Sequence, residues 1–142
     1  MIILDTNVVS EMFRPRPDVK AMNWLRGQRK ERLFLTAISL AELRYGVELL
    51  SPGKRRDQLD LAMRRMVAGF FDDRVLPFDM DAAETYAPLR AGLRREGRSI
   101  QPLDVMIASI ARVHGAAVAT RNTADFEFSG IPLQNPFEGP AP

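Results

Sequence analysis

Cysteine is absent from this chain of 142 residues, and histidine occurs once, at His114. Without cysteine there is no disulfide framework, no thiolate nucleophile and no zinc site built on sulfur ligands. A Ser/His/Asp triad or a histidine-rich metal site would depend wholly on His114. Any chemistry must therefore rest mainly on carboxylates and other oxygen groups.

Long hydrophobic runs are also missing. No segment approaches the ~20 apolar residues that span a bilayer, and the first apolar stretch ends at Asp5 with no basic region before it. We therefore expect no signal peptide and no membrane partner, and a cytoplasmic protein. The 20 basic and 18 acidic side chains nearly balance, which neither requires nor excludes a nucleic-acid partner.

Short apolar runs alternate with segments of helical periodicity. The runs that read as buried strands are residues 2–4, 33–36, 75–78 and 116–119, with a fifth near 132–133. Pro77 favours an edge position for the third run, because proline cannot donate to a neighbouring strand. This alternation predicts a parallel sheet covered by helices on both faces.

The predicted fold is a small three-layer α/β/α sandwich with a short parallel sheet of four to five strands. At this length one domain is expected. We predict that it covers residues 1–136 and that residues 137–142, which are rich in proline and glycine, form a frayed tail.

Acidic residues follow the predicted strands. Asp5 comes after the first strand and Asp125 soon after the fourth, and Glu42 lies in the first turns of the helix that follows the second strand. Ligands bind outside the carboxyl ends of parallel strands, so these three acids should share one edge of the sheet. Asp104 begins the helix that leads into the fourth strand. Simple topology predicts the opposite edge for Asp104, and the pattern alone does not bring it to the others.

Each acid alone also fits a structural role, as an N-cap or a first-turn acid favoured by the helix dipole. The combination of several acids with the neutral oxygens of Thr6, Asn7 and Asn122 favours a functional site instead. Clustered carboxylates repel one another unless cations neutralise them, and such ligands suit Mg²⁺ or Mn²⁺. These ions activate water and stabilise a leaving oxygen, so the residues predict metal-assisted phosphodiester hydrolysis.

Five motifs occur in order along the chain: Asp5-Thr6-Asn7, Ser39-Leu40-Ala41-Glu42-Leu43 with Gly46, Asp104-Val105-Met106-Ile107-Ala108, Thr120-Arg121-Asn122 with Asp125-Phe126, and Asn135-Pro136-Phe137. In these motifs and their spacing the sequence resembles the PIN-domain ribonucleases, specifically the VapC/FitB-like toxins of bacterial toxin–antitoxin pairs. The resemblance covers essentially the whole chain.

The resemblance implies a PIN-like fold and a metal-dependent endoribonuclease that acts on RNA. It implies that Asp5, Glu42, Asp104 and Asp125 converge as the catalytic acids, which brings Asp104 to the site. Asp5, Asp104 and Asp125 would ligate one or two Mg²⁺ or Mn²⁺ ions, with Glu42 completing the site. Thr6 and Asn122 match positions that support the site by hydrogen bonding.

The resemblance also implies partners. The family's usual partner is a small antitoxin that blocks the active site, and its members commonly form homodimers, often within larger toxin–antitoxin assemblies on DNA. The predicted helices over residues 39–50 and 54–71 carry more apolar residues than one core face needs. We interpret part of this surface as a groove for the antitoxin; ordinary core and dimer packing remains the alternative.

Three arginines are candidates for RNA binding: Arg121, within the loop that carries Asp125, and Arg94 and Arg98, near a helix end. A solvated helix face is the alternative for each. A catalytically silent PIN-like module that only binds RNA or a partner is the alternative function, although all four acids are present. An aspartyl-phosphate phosphatase fits poorly, because Asn7 stands where its second aspartate is expected.

Overall fold

A computed structural model describes residues 1–139 and has a five-stranded parallel sheet at its centre. The strands are β1 (Ile2–Leu4), β2 (Leu33–Thr36), β3 (Val75–Leu76), β4 (Ala117–Ala119) and β5 (Leu133–Gln134). They lie in the order β3-β2-β1-β4-β5, and every neighbouring pair is parallel. The predicted α/β fold with a short parallel sheet is confirmed.

Six α-helices cover the sheet: α1 (Thr6–Glu11), α2 (Val19–Arg26), α3 (Ala37–Glu48), α4 (Lys54–Met66), α5 (Met80–Arg95) and α6 (Pro102–Val113). Short 3₁₀ turns occur at Lys30–Arg32, Thr123–Asp125, Glu127–Ser129 and Pro136–Glu138, and α4 continues into a π-helical turn at Val67–Phe71. In the part of the chain that the structure describes, none of these helices is long and apolar enough to cross a membrane.

Two apolar cores lie on opposite faces of the sheet, because successive strand side chains point in opposite directions. Ile2 and Leu4 pack into the core that α1, α3 and α4 cover, and Ile3 packs into the core that α5 and α6 cover. All three side chains are buried. The central strand β1 is therefore covered on both faces, and the residue after it is held at the middle of the sheet edge.

Pro77 ends β3, which lies at the edge of the sheet as predicted. The strand has two residues instead of the predicted four, because a proline nitrogen cannot donate a hydrogen bond to β2. At the other edge, β5 begins one residue later than expected.

Phe137 does not fit the predicted tail. It lies in the 3₁₀ turn Pro136–Glu138, which packs beside α2; its half-buried ring contacts the core that α1, α3 and α4 cover, and the guanidinium of Arg121 lies 3.8 Å from its ring centre. Burial of an aromatic ring holds this turn in place. The ordered chain thus extends beyond residue 136, and residues 140–142 of the predicted tail lie outside the described residues.

Candidate active site

Asp5 is the best-anchored acid of the sheet edge. It follows β1 directly, caps the N-terminus of α1, and donates its backbone N–H to the Ala119 carbonyl at 3.0 Å. Its Oδ1 accepts from the Thr6 N–H at 2.7 Å, and its Oδ2 accepts from Thr120 Oγ1 at 2.7 Å and from Asn7 Nδ2 at 2.8 Å. Donors from α1 and from the end of β4 therefore fix this carboxylate in one orientation.

The pKa of Asp5 is raised above its ordinary value. Burial is the largest cause, and it outweighs the hydrogen bonds from Thr120, Thr6 and Asn7, which lower the pKa. The negative charge of Asp125 raises the pKa further. Asp5 is thus held in a position where an added positive charge would be stabilising.

Thr6 links Asp5 to Glu42. Its backbone N–H donates to Asp5, and its hydroxyl donates to Glu42 Oε2 at 2.7 Å. Glu42 projects from α3, which begins after β2 with Thr36 as its N-cap. Thr6 therefore donates hydrogen bonds to two acids from different elements, as expected of a residue that supports the site.

The topological expectation for Asp104 is wrong. Helix α6 ends at Val113, and the chain reverses at Gly115 (φ 60°) before β4 begins. The C-terminus of α6 therefore lies at the edge where strands start. Twelve residues span about 18 Å of helix, so the first turn, with Asp104, reaches the edge where strands end.

Asp104 has the most perturbed of these carboxyl groups: its pKa is raised to about 7. Burial is the main cause, followed by the negative charges of Asp5, Asp125 and Glu42. Acids from four separate segments thus act on one another at one edge of the sheet. The strand pattern alone did not bring Asp104 to this edge, and a shared catalytic role of the four acids remains a prediction.

The four acids do not form a complete set of metal ligands by themselves. Within residues 1–139, no three His, Cys, Asp or Glu side chains are grouped closely enough to hold a metal ion by themselves. Mg²⁺ usually keeps several waters and takes only one or two carboxylates together with substrate phosphates. The all-oxygen donor set and the negative charges around Asp104 fit an ion of this kind, which Asp5, Asp104 and Asp125 would hold.

The loop that carries Asp125 is tied to α1 through Asn7, whose bridging role was not anticipated. Asn7 Nδ2 donates to Thr120 Oγ1 at 3.2 Å, and its Oδ1 accepts from the Arg121 N–H at 3.1 Å. Asn122 takes part through its backbone, since its N–H donates to Thr120 Oγ1 and its carbonyl accepts from the Asp125 N–H, both at 3.0 Å. Support by the Asn122 side chain remains a prediction.

Glu11 is a buried carboxylate that the sequence patterns did not single out. It is 1% exposed, and its Oε2 accepts from the Asp18 N–H at 2.8 Å. Its Oε1 accepts from Arg121 at 3.2 Å and pairs with Arg14 at the same distance. Periodicity in a six-residue helix is too short a signal to separate this glutamate from a solvated one.

The three candidate arginines lie in two places. Arg121 is held by Glu11 and stacks on Phe137, so its guanidinium has structural partners already. Arg94 and Arg98 line an open cavity of about 590 Å³ between the end of α5 and the loop before α6. RNA binding by these residues remains a prediction.

A second cavity, of about 360 Å³, opens beside Glu42 between α1, α3 and α4. We call it the α3 groove; its lining includes Thr6, Ser10, Phe13, Glu42, Gly46 and Leu59. Phe13, Leu43, Val47 and Met63 add apolar side chains to its lining. The groove therefore joins an apolar surface to one of the site acids.

Comparison with known proteins gives a consistent picture. The PIN domain model matches residues 2–129. A VapC ribonuclease of Sinorhizobium fredii is 43% identical over 97% of this chain and 99% of its own length, and the toxin FitB of Neisseria gonorrhoeae is 39% identical over 96% and 99%. A solved structure of FitAB bound to a DNA fragment superposes with a TM-score of 0.91 and 39% identity, covering 97% of this chain and 96% of that chain.

Proposed function

The chain belongs to the PIN-domain family, among the VapC and FitB toxins, and we propose from this that it hydrolyses RNA with Mg²⁺ or Mn²⁺ as cofactor. It is the ribonuclease toxin of a toxin–antitoxin pair. We assign the chemistry to Asp5, Glu42, Asp104 and Asp125, with Asp5, Asp104 and Asp125 as the groups that hold one or two ions.

One observation carries this assignment: the charges of Asp5, Asp125 and Glu42 help to raise the pKa of Asp104 to about 7. A carboxyl group whose ionisation is opposed by burial and by three neighbouring carboxylates is costly for a fold unless a cation uses it. The same edge is where open parallel sheets bind their ligands.

A bound divalent ion would supply a water of lowered pKa and a positive charge for the leaving oxygen of the phosphodiester. The residues of the chain orient the site around it. The donors from Thr120 and Asn7 hold Asp5 Oδ2, and Thr6 holds Glu42 Oε2. Because these contacts exist before substrate arrives, little reorganisation is needed during the reaction.

We assign the α3 groove to the cognate antitoxin. A peptide in this groove would lie against Gly46 and reach Glu42 and Thr6, so it would obstruct the acidic site directly. Helix-in-groove binding suits its mixed apolar and polar lining. Homodimers, larger toxin–antitoxin assemblies on DNA and a cytoplasmic location are part of the same proposal, and they follow from family membership.

The direct test is cleavage of structured RNAs by the purified, antitoxin-free protein with Mg²⁺, with Mn²⁺ and with a chelator. We expect cleavage with either ion and none with chelator. Asp5→Asn should lower the cleavage rate by about 10²–10³-fold, because it removes one negative charge from the site with little change in shape.

The matched control is Asp57→Asn, which removes an exposed acid from the first turn of α4, away from the site. It should cleave like the wild type. Equal cleavage by the Asp5→Asn protein, or cleavage that survives the chelator, would refute the metal–carboxylate assignment. Binding of RNA without cleavage under every condition would instead support a silent binding module.

A further inference from the structure

The cavity at the end of α5 has a wall of defined conformation. Gly97 adopts φ 68°, its N–H donates to the Arg94 carbonyl at 3.1 Å, and the Arg98 N–H donates to the Leu93 carbonyl at 2.9 Å. This pair of bonds is the Schellman arrangement, which ends a helix in one fixed geometry. Arg90 then holds the returning chain by donating to the Ile100 carbonyl at 2.6 Å.

Three arginines, Arg90, Arg94 and Arg98, line this cavity, which we call the arginine pocket. In residues 1–139 none of them takes part in an ion pair, although Glu96 is close in sequence. Their positive charge is therefore available to an anion. The negative end of the α5 dipole stabilises the arginines at this position but does not neutralise them as a carboxylate would.

Several other arginines of the chain are already paired with carboxylates. On the α3–α4 hairpin, Arg44 and Arg64 both pair with Asp60, at 3.0 Å and 2.8 Å, and Arg56 pairs with Glu48. Three arginines of that surface are therefore paired with carboxylates. The arginine pocket is the contrasting case, because its charges face an open space of about 590 Å³, a size suited to a small ligand.

The pocket lies near the acidic site along the chain. Ile100 belongs to its wall, and Asp104 follows four residues later. Four residues span at most about 14 Å even when fully extended. Ile100, in the wall of the pocket, and Asp104 therefore lie within about 14 Å of each other, a distance that one RNA strand can span.

We propose that the arginine pocket binds an RNA nucleotide that flanks the cleaved bond, with Arg94 and Arg98 on its phosphate and the apolar wall of Tyr86 and Ala87 against its base. The inference rests on the proposed function, since it takes the same RNA as ligand. Arginine is suited to the role because its planar guanidinium matches phosphate oxygens with two parallel hydrogen bonds.

The test measures RNA binding without cleavage. The antitoxin-free protein is titrated in chelator against a short, end-labelled single-stranded RNA, and the dissociation constant follows from fluorescence anisotropy at several salt concentrations. The double variant Arg94→Ala/Arg98→Ala should bind about 10- to 100-fold more weakly. The slope of its binding constant against salt, on logarithmic axes, should become shallower by about 0.7 for each phosphate that the variant no longer neutralises.

The matched control is Arg65→Ala/Arg95→Ala, which removes the same charge from exposed positions outside the pocket, one of them on α5. It should bind RNA nearly as the wild type does. Equal weakening by both double variants would overturn the pocket, since net charge alone would explain it, and so would wild-type binding by the pocket variant. If RNA binds through the pocket but is never cleaved with metal, the inference stands and the proposed function fails.

Discussion

At the scale of single residues, the ionised carboxylate of Asp104 lowers the stability of the metal-free fold. Its carboxyl group binds a proton more tightly in the folded chain, where its pKa is about 7, than in the unfolded chain, where 3.8 is the ordinary value. Protons therefore favour the folded state. The free energy of unfolding of the metal-free protein should fall as the pH rises from about 4 to above 7.

Asp104→Asn removes the negative charge of this side chain and should therefore stabilise the protein above neutral pH. At pH 8 in chelator we expect its free energy of unfolding to exceed that of the wild type by about 1–2 kcal/mol, a value discounted for the partial exposure of the group. The gain should vanish near pH 4, and RNA cleavage should be lost.

Urea unfolding at several pH values checks this expectation, with Asp73→Asn, an exposed loop acid, as the control that should show no such pH-dependent gain. A variant no more stable than the wild type at pH 8 would mean that the four acids do not repel one another as described.

At the scale of elements, Glu11 joins α1 to the neighbouring helix α2 and to a loop that is far away in sequence. One carboxylate holds the N-terminus of α2 through Asp18 and the loop after β4 through Arg121. We interpret Glu11 as a positioning residue, which acts on the reaction through the loop that carries Asp125. Arg14 pairs with the same carboxylate, but within residues 1–139 it makes no ion pair or side-chain hydrogen bond with that loop.

Glu11→Gln should therefore lower kcat for RNA cleavage while leaving KM nearly unchanged. Arg121→Ala should also lower kcat, and a rise in its KM would indicate that its guanidinium binds RNA as well. Arg14→Ala should leave both kcat and KM unchanged. We also expect Glu11→Gln to destabilise the fold by about 1–3 kcal/mol, because a buried acceptor becomes a donor that faces other donors. Steady-state kinetics and urea unfolding measure the two effects. Equal kinetics for all three variants would reduce Glu11 to a purely structural group.

Gly46 lies within α3, where glycine is costly relative to alanine. A Cβ at this position would meet nothing within 4 Å, so the fold itself does not require the glycine. The missing side chain instead leaves room in the α3 groove. The groove thus has room at Gly46 for a bound segment.

Gly46→Ala should raise the free energy of unfolding by about 0.5–1 kcal/mol and weaken binding of the cognate antitoxin. Gly92→Ala is the matched control, because a Cβ there also meets nothing within 4 Å and the position lies on α5, away from the groove. Gly92→Ala should stabilise the fold by about the same amount as Gly46→Ala and leave antitoxin binding unchanged. Calorimetric titration with the antitoxin distinguishes the two variants. Antitoxin binding to the Gly46→Ala protein as tight as to the wild type would exclude the α3 groove as the antitoxin site.

At the scale of the whole molecule, local sequence patterns predicted the helices and strands well, but they predicted the contacts between distant residues poorly. The apolar run before Asp5 and the proline at position 77 predicted a central and an edge strand, because both signals are local. The edge to which Asp104 belongs depends on the direction of α6, and the simple topological prediction was wrong. The roles of Glu11, Thr120 and Asn7 depend on hydrogen bonds that join residues more than a hundred positions apart, which no periodicity reports.

The balance of charge has a different meaning once the fold is known. With the four site acids set aside, 14 acidic side chains remain against 20 basic ones. Part of the basic excess is paired on the α3–α4 hairpin and part is unpaired in the arginine pocket. A nearly neutral composition thus contains an acidic edge beside a positively charged cavity, an arrangement suited to a polyanionic substrate.

The position of β1 between β2 and β4 also has a consequence for synthesis of the protein. Asp5 leaves the ribosome 120 residues before Asp125, which corresponds to roughly 6 to 24 s of translation. Until β4 pairs with β1, Thr120 cannot hold Asp5 and the edge lacks one of its acids. We therefore expect the nascent chain to be unable to cleave RNA until β4 has been made and has paired with β1.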